Sequence, residues 1–407
     1  MQPVGRLSPQ TWMTAPETRA VFSALASYGS ARFVGGCVRD AWLGRPVQDI
    51  DIATSIIPEH VVELLERAGI KVGIIGLAHG TITAIVGEWR IEITTLRHDV
   101  ETDGRHASVA FTADWQVDAS RRDFTINAIY CDADGTLYDP VRGLTDLQAG
   151  RVKFIGDAST RISEDALRIL RYFRFYAYFG RCEPDVEGLD ACRSAAEDLR
   201  GLSGNRIVSE VFQLLAAPGS IKALKLMKER DILAVILPEV VSLQCLQGLI
   251  GIEDKPDPER RLAALLSEAS NSSAVADRLQ LSKQQRERLQ LLTKPSMVLT
   301  ESPTEKYVRR ILYRLGPSRF SDLVLLHVAR FGGFEGWQKL LDVAESWVHP
   351  LLPVKGADVV AMGIKPGPSV GRLIKVIEYW WEEETDFRAD RGECLKKLGT
   401  LVSKERV

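Results

Sequence analysis

The stretch FVGGCVRDAWLGRPVQDIDIAT, Phe33–Thr54, decides how the chain begins to fold. Ile50 and Ile52 alternate with Asp49 and Asp51. In a strand, alternate side chains share a face, so the isoleucines enter a core and the two carboxylates point the same way. Carboxylates held that close repel unless a cation sits between them. Mg²⁺ takes carboxylate oxygens and keeps positions open for phosphate oxygens. Alone, the DID triplet also fits an exposed strand face with two solvated acids. The glycines argue against that. Gly35 and Gly36 end the apolar Phe33-Val34 run and precede a helix-like Val38–Leu43. A turn without side chains lets phosphate approach backbone N–H groups where a helix starts. Arg39 follows one turn later, within reach of the same phosphate. A triphosphate cradle beside a carboxylate pair is the layout of phosphoryl or nucleotidyl transfer. Neither a Walker loop nor a GxGxxG fingerprint is present.

Around this stretch the sequence is mixed. Residues 30 to 155 read as α/β, with strand-like TITAIV and WRIEITTL separated by Gly and Asp-Gly turn signals. After Ser163 the apolar residues recur at helical spacing. Breaks at 217–220, 255–258 and 351–353 read as joints between helical blocks, and NSS at 271–273 reads as a loop. The chain has 407 residues, a net charge of −2 and six scattered cysteines with no CxxC pair. The length predicts several domains. The cysteines argue against a zinc or disulfide framework and for the reducing cytoplasm. No apolar run is long enough for a bilayer, and no signal peptide is read at the start, so no membrane is expected as a partner. A near-neutral chain must hold any polyanion through local basic patches.

Two basic motifs supply such patches. In RRDFTINAIY, 121–130, Arg121 and Arg122 can pair with phosphate. Asp123 can accept from a ribose hydroxyl or orient an arginine. In EDALRILRYFRF, 164–175, a helix is predicted with Ser163 as its N-cap. Asp165 and Arg168, at i and i+3, become neighbours on one face. Arg171 and Arg174 continue a basic stripe, and Leu167, Leu170, Phe173 and Tyr176 anchor the helix. An aspartate and an arginine held side by side offer acceptor and donor together, the requirement for reading a nucleobase edge. Taken singly, each motif also fits a surface ion pair.

The ordered set FVGGCVRD, DID, RRDFTINA and EDALRILRYFRF resembles the class II tRNA nucleotidyltransferases, the CCA-adding enzymes, and their poly(A) polymerase relatives. SGNRIVSEVFQLL, 203–215, resembles the next motif of that family, and GADVVAMGIKPGPSVGRLI, 356–374, a tail segment of its bacterial members. The resemblance implies an α+β protein: a nucleotidyltransferase head (1–155), then an all-helical neck (156–217), body (218–295) and tail (296–407). It implies two Mg²⁺ ions on Asp49 and Asp51, which would be the catalytic pair. Gly35, Gly36 and Arg39 would bind the triphosphate. Arg122 and Asp123 would contact ribose and phosphate. Asp165 and Arg168 would select CTP and ATP, with Arg171 and Arg174 supporting the phosphates and the reading helix. Glu92 sits where a third acid near the metals would fit, or is an exposed strand carboxylate. The chain departs from the family at Asp139-Pro140-Val141-Arg142-Gly143, where Arg142 replaces one of two glycines.

The implied reaction is attack by a tRNA 3′-hydroxyl on the α-phosphorus of CTP or ATP, with release of pyrophosphate. Poly(A) polymerase and an A-only tRNA enzyme share most of these motifs, and an RNA-binding protein with an inactive head would share the fold. Two features favour full CCA addition. GIIGLAHGTITAIV, 73–86, lacks the basic Gly-Arg-Arg-Phe-like element usual in the polymerases. RHDVETDGRHA, 97–107, resembles the flexible loop of enzymes that switch from C to A. Contacts to tRNA are expected from Arg206, from Arg309, Arg310 and Arg314, and from Arg372 and Lys375.

Overall fold

The computed structural model describes residues 1–73, 80–102, 107–267, 271–295, 299–300, 303–333 and 335–405. The chain forms two compact units. The first holds Met1–Leu243 and two short later segments, and the second holds most of the chain from Gln244 onward.

Among the described residues the first unit holds ten strands: β1 (Pro3–Arg6), β2 (Ala31–Val34), β3 (Ile50–Thr54), β4 (Lys71–Gly73), β5 (Thr81–Val86), β6 (Trp89–Thr95), β7 (Arg97–Thr102), β8 (Ala107–Phe111), β9 (Tyr130–Cys131) and β10 (Thr136–Tyr138). Eight form one sheet in the order β1-β10-β9-β2-β3-β6-β5-β4, and β7 pairs with β8 as a separate hairpin. Strands β3 and β6 run parallel, with Ile50 opposite Ile91, Asp51 opposite Glu92 and Ile52 opposite Ile93. All four isoleucines are buried, as the alternation in DID requires. Asp49, however, lies one residue before β3 and is exposed. Strand β1, which extends the sheet along β10, was not foreseen. All four of its residues are exposed, and its Pro and Gly carry no strand alternation.

The sheet meets the helices through a ring cluster. Phe124 packs on Phe154 at 4.8 Å between centroids and on Phe175 at 5.3 Å, and Tyr172 stacks on Phe154 at 5.6 Å. Helix Leu167–Phe179 buries its apolar stripe here and against Gly204–Ala216. The single helix expected from Glu164 onward is in fact two. Ser163 lies inside Ala158–Glu164, whose N-cap is Asp157 (Oδ1 accepts from Thr160 N at 2.7 Å). The chain then turns extended at Asp165, with φ −157° and ψ 106°. The NSS segment is also corrected: Asn271 caps helix Ser272–Arg278, its Oδ1 accepting from Ala274 N.

Arg142 adopts the left-handed conformation, φ 63°, just before helix Gly143–Ala149. Asp139 accepts from the backbone N–H of Gly143 and Leu144, capping that helix. A Cβ at Gly143 would meet Thr125 O at 2.0 Å. The retained glycine is therefore the sterically required one, and Arg142 carries only backbone strain.

In the second unit, Val359, Leu373, Ile377, Trp381 and Leu398 form the core of the C-terminal helices Pro368–Glu383 and Arg391–Glu405. Elsewhere in it, buried Glu253 and Asp322 hold Arg260, Arg261 and Arg288 in a closed ion network.

Candidate active site

A cavity of about 570 Å³ opens in the first unit, lined by Gly35, Gly36, Arg39, Asp51, Arg121, Arg122, Asp123, Asn127, Asp165, Arg168, Arg171, Arg174, Phe175 and Arg206, among others. Seven of these are arginines and three are aspartates, so the cavity is a polyanion site with an acidic wall. The structure thus gathers every expected nucleotide-binding residue around one space, although they come from three separate motifs.

Gly35 supplies the positive φ (74°) that ends β2 and starts helix Gly36–Trp42. Arg39, on that helix, is nearly buried. Its Nη1 donates to Asn127 Oδ1 at 2.6 Å, its Nε to Asp40 Oδ1, and it lies over the Phe179 ring. On the acidic wall, Asp51 stands beside Glu92 on the parallel strand. Burial pushes the Asp51 carboxyl up to about 6, and the charges of Glu92 and Asp49 add to this while Arg122 and Arg39 oppose it. A half-buried carboxylate lifted in this way, with two further acids nearby, is short of positive charge. That donor set of hard oxygens fits divalent magnesium. Among the described residues no three acids, histidines or cysteines form a ready-made metal cage. Asp49 and Glu92 are exposed, and neither lines the cavity.

Asp123 is fully engaged. Its Oδ1 accepts from Phe124 N and Asn127 Nδ2, and its Oδ2 from Arg171 Nε at 2.8 Å and Nη2 at 2.6 Å. Burial works against its ionisation, but Arg171 and these hydrogen bonds hold its carboxyl below the usual range. Of the two roles open to it, orienting an arginine is the one seen here. Glu210 then takes Arg174 at 2.8 Å and Arg171 at 3.6 Å, tying helix Gly204–Ala216 to the arginine stripe.

The expected Asp165–Arg168 side-chain pair does not form. Arg168 Nη1 donates to Glu164 and, at 2.8 Å, to the carbonyl of Arg161. Asp165 instead caps the following helix through Leu167 N, at 3.1 Å, and accepts from Arg206 Nη2 at 2.7 Å. The physical reason is the backbone break: without helical geometry at 165, the i, i+3 spacing no longer makes neighbours. Both groups still line the cavity. Arg206, expected on a tRNA surface, belongs to this site. Arg309, Arg310 and Arg314 are also corrected as a free basic cluster, because they pair with Asp386, Glu382 and Glu383. Lys375 and Arg372 lie with Tyr379 along one side of helix Pro368–Glu383. Asp103–His106, the centre of the expected switching loop, lie outside the described residues, as do Ile74–His79 of the glycine-rich stretch. Strands β7 and β8 flank the former.

Two groups of the site escaped the sequence reading. Asn127 bridges Arg39 and Asp123. Asp118 receives both Arg121 and Arg122. Its i+3 and i+4 spacing to those arginines was the available signal.

Residues 31–153 match the model of the poly A polymerase head domain, and residues 183–243 match that described as the probable RNA and SrmB-binding site of polymerase A. The chain is 36% identical over 381 residues to CCA tRNA nucleotidyltransferase 1, mitochondrial, of Danio rerio, covering 90% of this chain and 86% of that protein. It is 33% identical over 362 residues to a CCA-adding enzyme of Streptococcus pneumoniae, covering 86% and 88%. In structure it resembles the Bacillus stearothermophilus CCA-adding enzyme in complex with CTP, with a TM-score of 0.70 and 26% identity over 96% of this chain and 98% of that one. The Thermotoga maritima CCA-adding enzyme complexed with tRNA shares the fold at a TM-score of 0.65 and 20% identity, covering 99% and 100%. The head-plus-helices α+β architecture, the gathered motif residues and this kinship over most of both chains agree, and the protein is a member of the CCA tRNA nucleotidyltransferase family.

Proposed function

We propose that this enzyme adds CCA to the 3′ end of tRNA from CTP and ATP, releasing pyrophosphate. One observation carries the reading: a single cavity holds a phosphate-binding end (Gly35, Gly36, Arg39, Arg122), an acidic wall at Asp51 and a base-reading end (Asp165, Arg168). Residues 1–155 then carry the transfer chemistry, 156–217 read the base, and 218–407 form the body and tail that hold tRNA. The described residues contain no helix long and apolar enough to cross a membrane. None of the six cysteines is in a disulfide, which supports a reducing compartment such as the cytoplasm. The zebrafish relative is mitochondrial by name, so the family is not confined to one compartment.

In this mechanism the triphosphate lies against the glycine turn and the arginines. Arg171, held by Asp123, and Arg174, ion-paired with Glu210 and donating to Gln213, stand preorganised for negative charge rather than being ordered at the moment of reaction. Asp165 accepts from the exocyclic amine that cytosine and adenine share, and Arg168 donates to the neighbouring ring acceptor. Guanine and uracil present a carbonyl where that amine should be, leaving Asp165 facing an acceptor. Asp49 and Asp51, with Glu92 beside them, would hold two magnesium ions. When bound, these lower the pKa of the attacking hydroxyl and neutralise the departing pyrophosphate.

The experiment is incubation of the purified protein with Mg²⁺, labelled CTP and ATP, and tRNA lacking its last three nucleotides or lacking only the final A. Full CCA on the first substrate is expected. Addition only to the second would indicate an A-only enzyme. Long A-tracts would indicate a poly(A) polymerase. No incorporation on either would refute the reading.

A further inference from the structure

Asp118 sits behind the cavity, not in it. Its side chain is 1% exposed, and it is absent from the cavity lining, whereas Arg121 and Arg122 both line it. It lies on helix Trp115–Ser120, capped by Asp114. Six hydrogen bonds converge on its carboxylate, the longest from Arg97 N to Oδ1 at 3.5 Å. Oδ1 accepts from Arg121 Nε at 2.9 Å and Nη2 at 2.6 Å. Oδ2 accepts from Arg122 Nε at 3.1 Å and Nη2 at 3.0 Å, and from Tyr130 OH at 2.8 Å. Tyr130 is itself fully buried. Its hydroxyl also accepts from Arg122 Nε at 3.3 Å.

Each guanidinium spends its Nε–Nη2 edge on Asp118. The planar fork then fixes the remaining Nη1 end on the far side. One carboxylate thus sets the separation and the aim of two guanidiniums. It cancels one of their two charges and leaves a net +1, confined to two rigid donors. Burial opposes ionisation of Asp118, but Arg122, Arg121 and Tyr130 outweigh it and hold the carboxyl down at about 2. The clamp is therefore fully charged at any working pH. Arg121 and Arg122 also carry the side-chain entropy of long chains, which Asp118 removes before the ligand arrives.

We infer that Asp118 is a positioning residue for the incoming triphosphate, presenting Arg121 and Arg122 to its phosphates without touching the substrate. This rests on the CCA-adding reading for the identity of the nucleotide, not for the anion chemistry. Asn at this position keeps the volume but loses the charge. It also turns one acceptor into an N–H donor that faces a guanidinium.

The test compares wild type, Asp118→Asn and Tyr130→Phe. Michaelis constants are measured for CTP, ATP and tRNA, and inorganic tripolyphosphate binding is measured by calorimetry. Asp118→Asn is expected to raise the KM for CTP and for ATP about tenfold and to weaken tripolyphosphate binding by a similar factor, with the tRNA KM unchanged. Tyr130→Phe, which removes one donor and no charge, is expected to raise both nucleotide KM values about twofold to threefold. A merely structural role would lower the amount of active enzyme, and so kcat, while leaving KM alone. Unchanged nucleotide KM and tripolyphosphate affinity in Asp118→Asn would overturn the inference. If that variant does not fold, unchanged values in Tyr130→Phe would do the same. A wild type that binds tripolyphosphate but transfers no nucleotide would refute the proposed function, and the calorimetric comparison would still decide the role of Asp118.

Discussion

Asp165 Oδ2 accepts a hydrogen bond from Arg206 Nη2 at 2.7 Å, across 41 residues of sequence. The acceptor proposed to read the base is thus held from a third helix, outside the two that it joins. Arg206→Ala should leave Asp165 in place, through its Leu167 cap, but less firmly aimed. Misincorporation of UTP and GTP relative to CTP and ATP should rise, by about tenfold if ~1.4 kcal/mol of discrimination is lost. Asp165→Asn should do more, because the amide adds a donor. Single-turnover competition among the four nucleotides checks this, and wild-type selectivity in both variants would sink the role given to Asp165.

In its proposed catalytic role, Asp51 would make the reaction pH-dependent. Its folded carboxyl is raised from 3.8 to about 6. In the metal-free protein the folded state therefore binds that proton more tightly than the unfolded chain does. The ionised form weakens the fold above pH 6, and stability rises as pH falls from about 7 towards 4. Asp51→Asn should remove that dependence and raise the metal-free melting temperature at pH 7.5. With Mg²⁺, incorporation by wild type should fall below pH 6 as protons compete with metal. Asp51→Asn and Asp49→Ala should abolish incorporation while leaving tRNA affinity nearly intact. Glu92→Gln removes a charge that lifts Asp51, so the metal-free midpoint should move to lower pH. Melting curves and initial rates from pH 5 to 8 are the measurements.

Arg142 invites a stabilising change. It holds a left-handed φ of 63° that glycine adopts freely. Arg142→Gly should stabilise the protein by about 1 kcal/mol without altering nucleotide KM. Urea unfolding would show it as a higher midpoint at unchanged slope, and a lower midpoint would contradict the strain argument.

The tail prediction is narrowed by the ion pairs of Arg309, Arg310 and Arg314. Arg372 and Lys375 lie along one side of helix Pro368–Glu383 with Tyr379. If they meet tRNA phosphates, the Arg372→Ala/Lys375→Ala variant should flatten the slope of log affinity against log salt, by about one unit for each phosphate no longer neutralised. An unchanged slope and affinity would assign them to the solvated surface.

Most of the head was legible because its signals are local. Ile50 and Ile52 had to be buried for DID to be a strand, and Gly35 had to turn before a helix could start. The gathering of Arg39, Asp123 and Arg171 was reached only through family resemblance, since no periodicity links positions so far apart. What failed shares one cause. The helix break at Asp165 has no Pro or Gly to announce it. Arg309, Arg310 and Arg314 look cationic until Glu382, Glu383 and Asp386 fold against them. Strand β1 exists because β10 offers an edge, and its own residues say nothing of it.

The extended backbone at Asp165 has a consequence for how selectivity can change. A side chain on a continuous helix is locked to the helical phase, about 100° per residue, and can be re-aimed only by substitution. A side chain at a joint takes its direction from the angle between two rods. Here the rods are Ala158–Glu164 and Leu167–Phe179, with Arg206 as a guy-line from a third. A few degrees of bend would carry the acceptor from one hydrogen-bonding register to another while every residue stayed the same. With Asp165 in its proposed base-reading role, the choice of nucleotide would be in this sense an angular quantity, which substitutions well outside the cavity could retune.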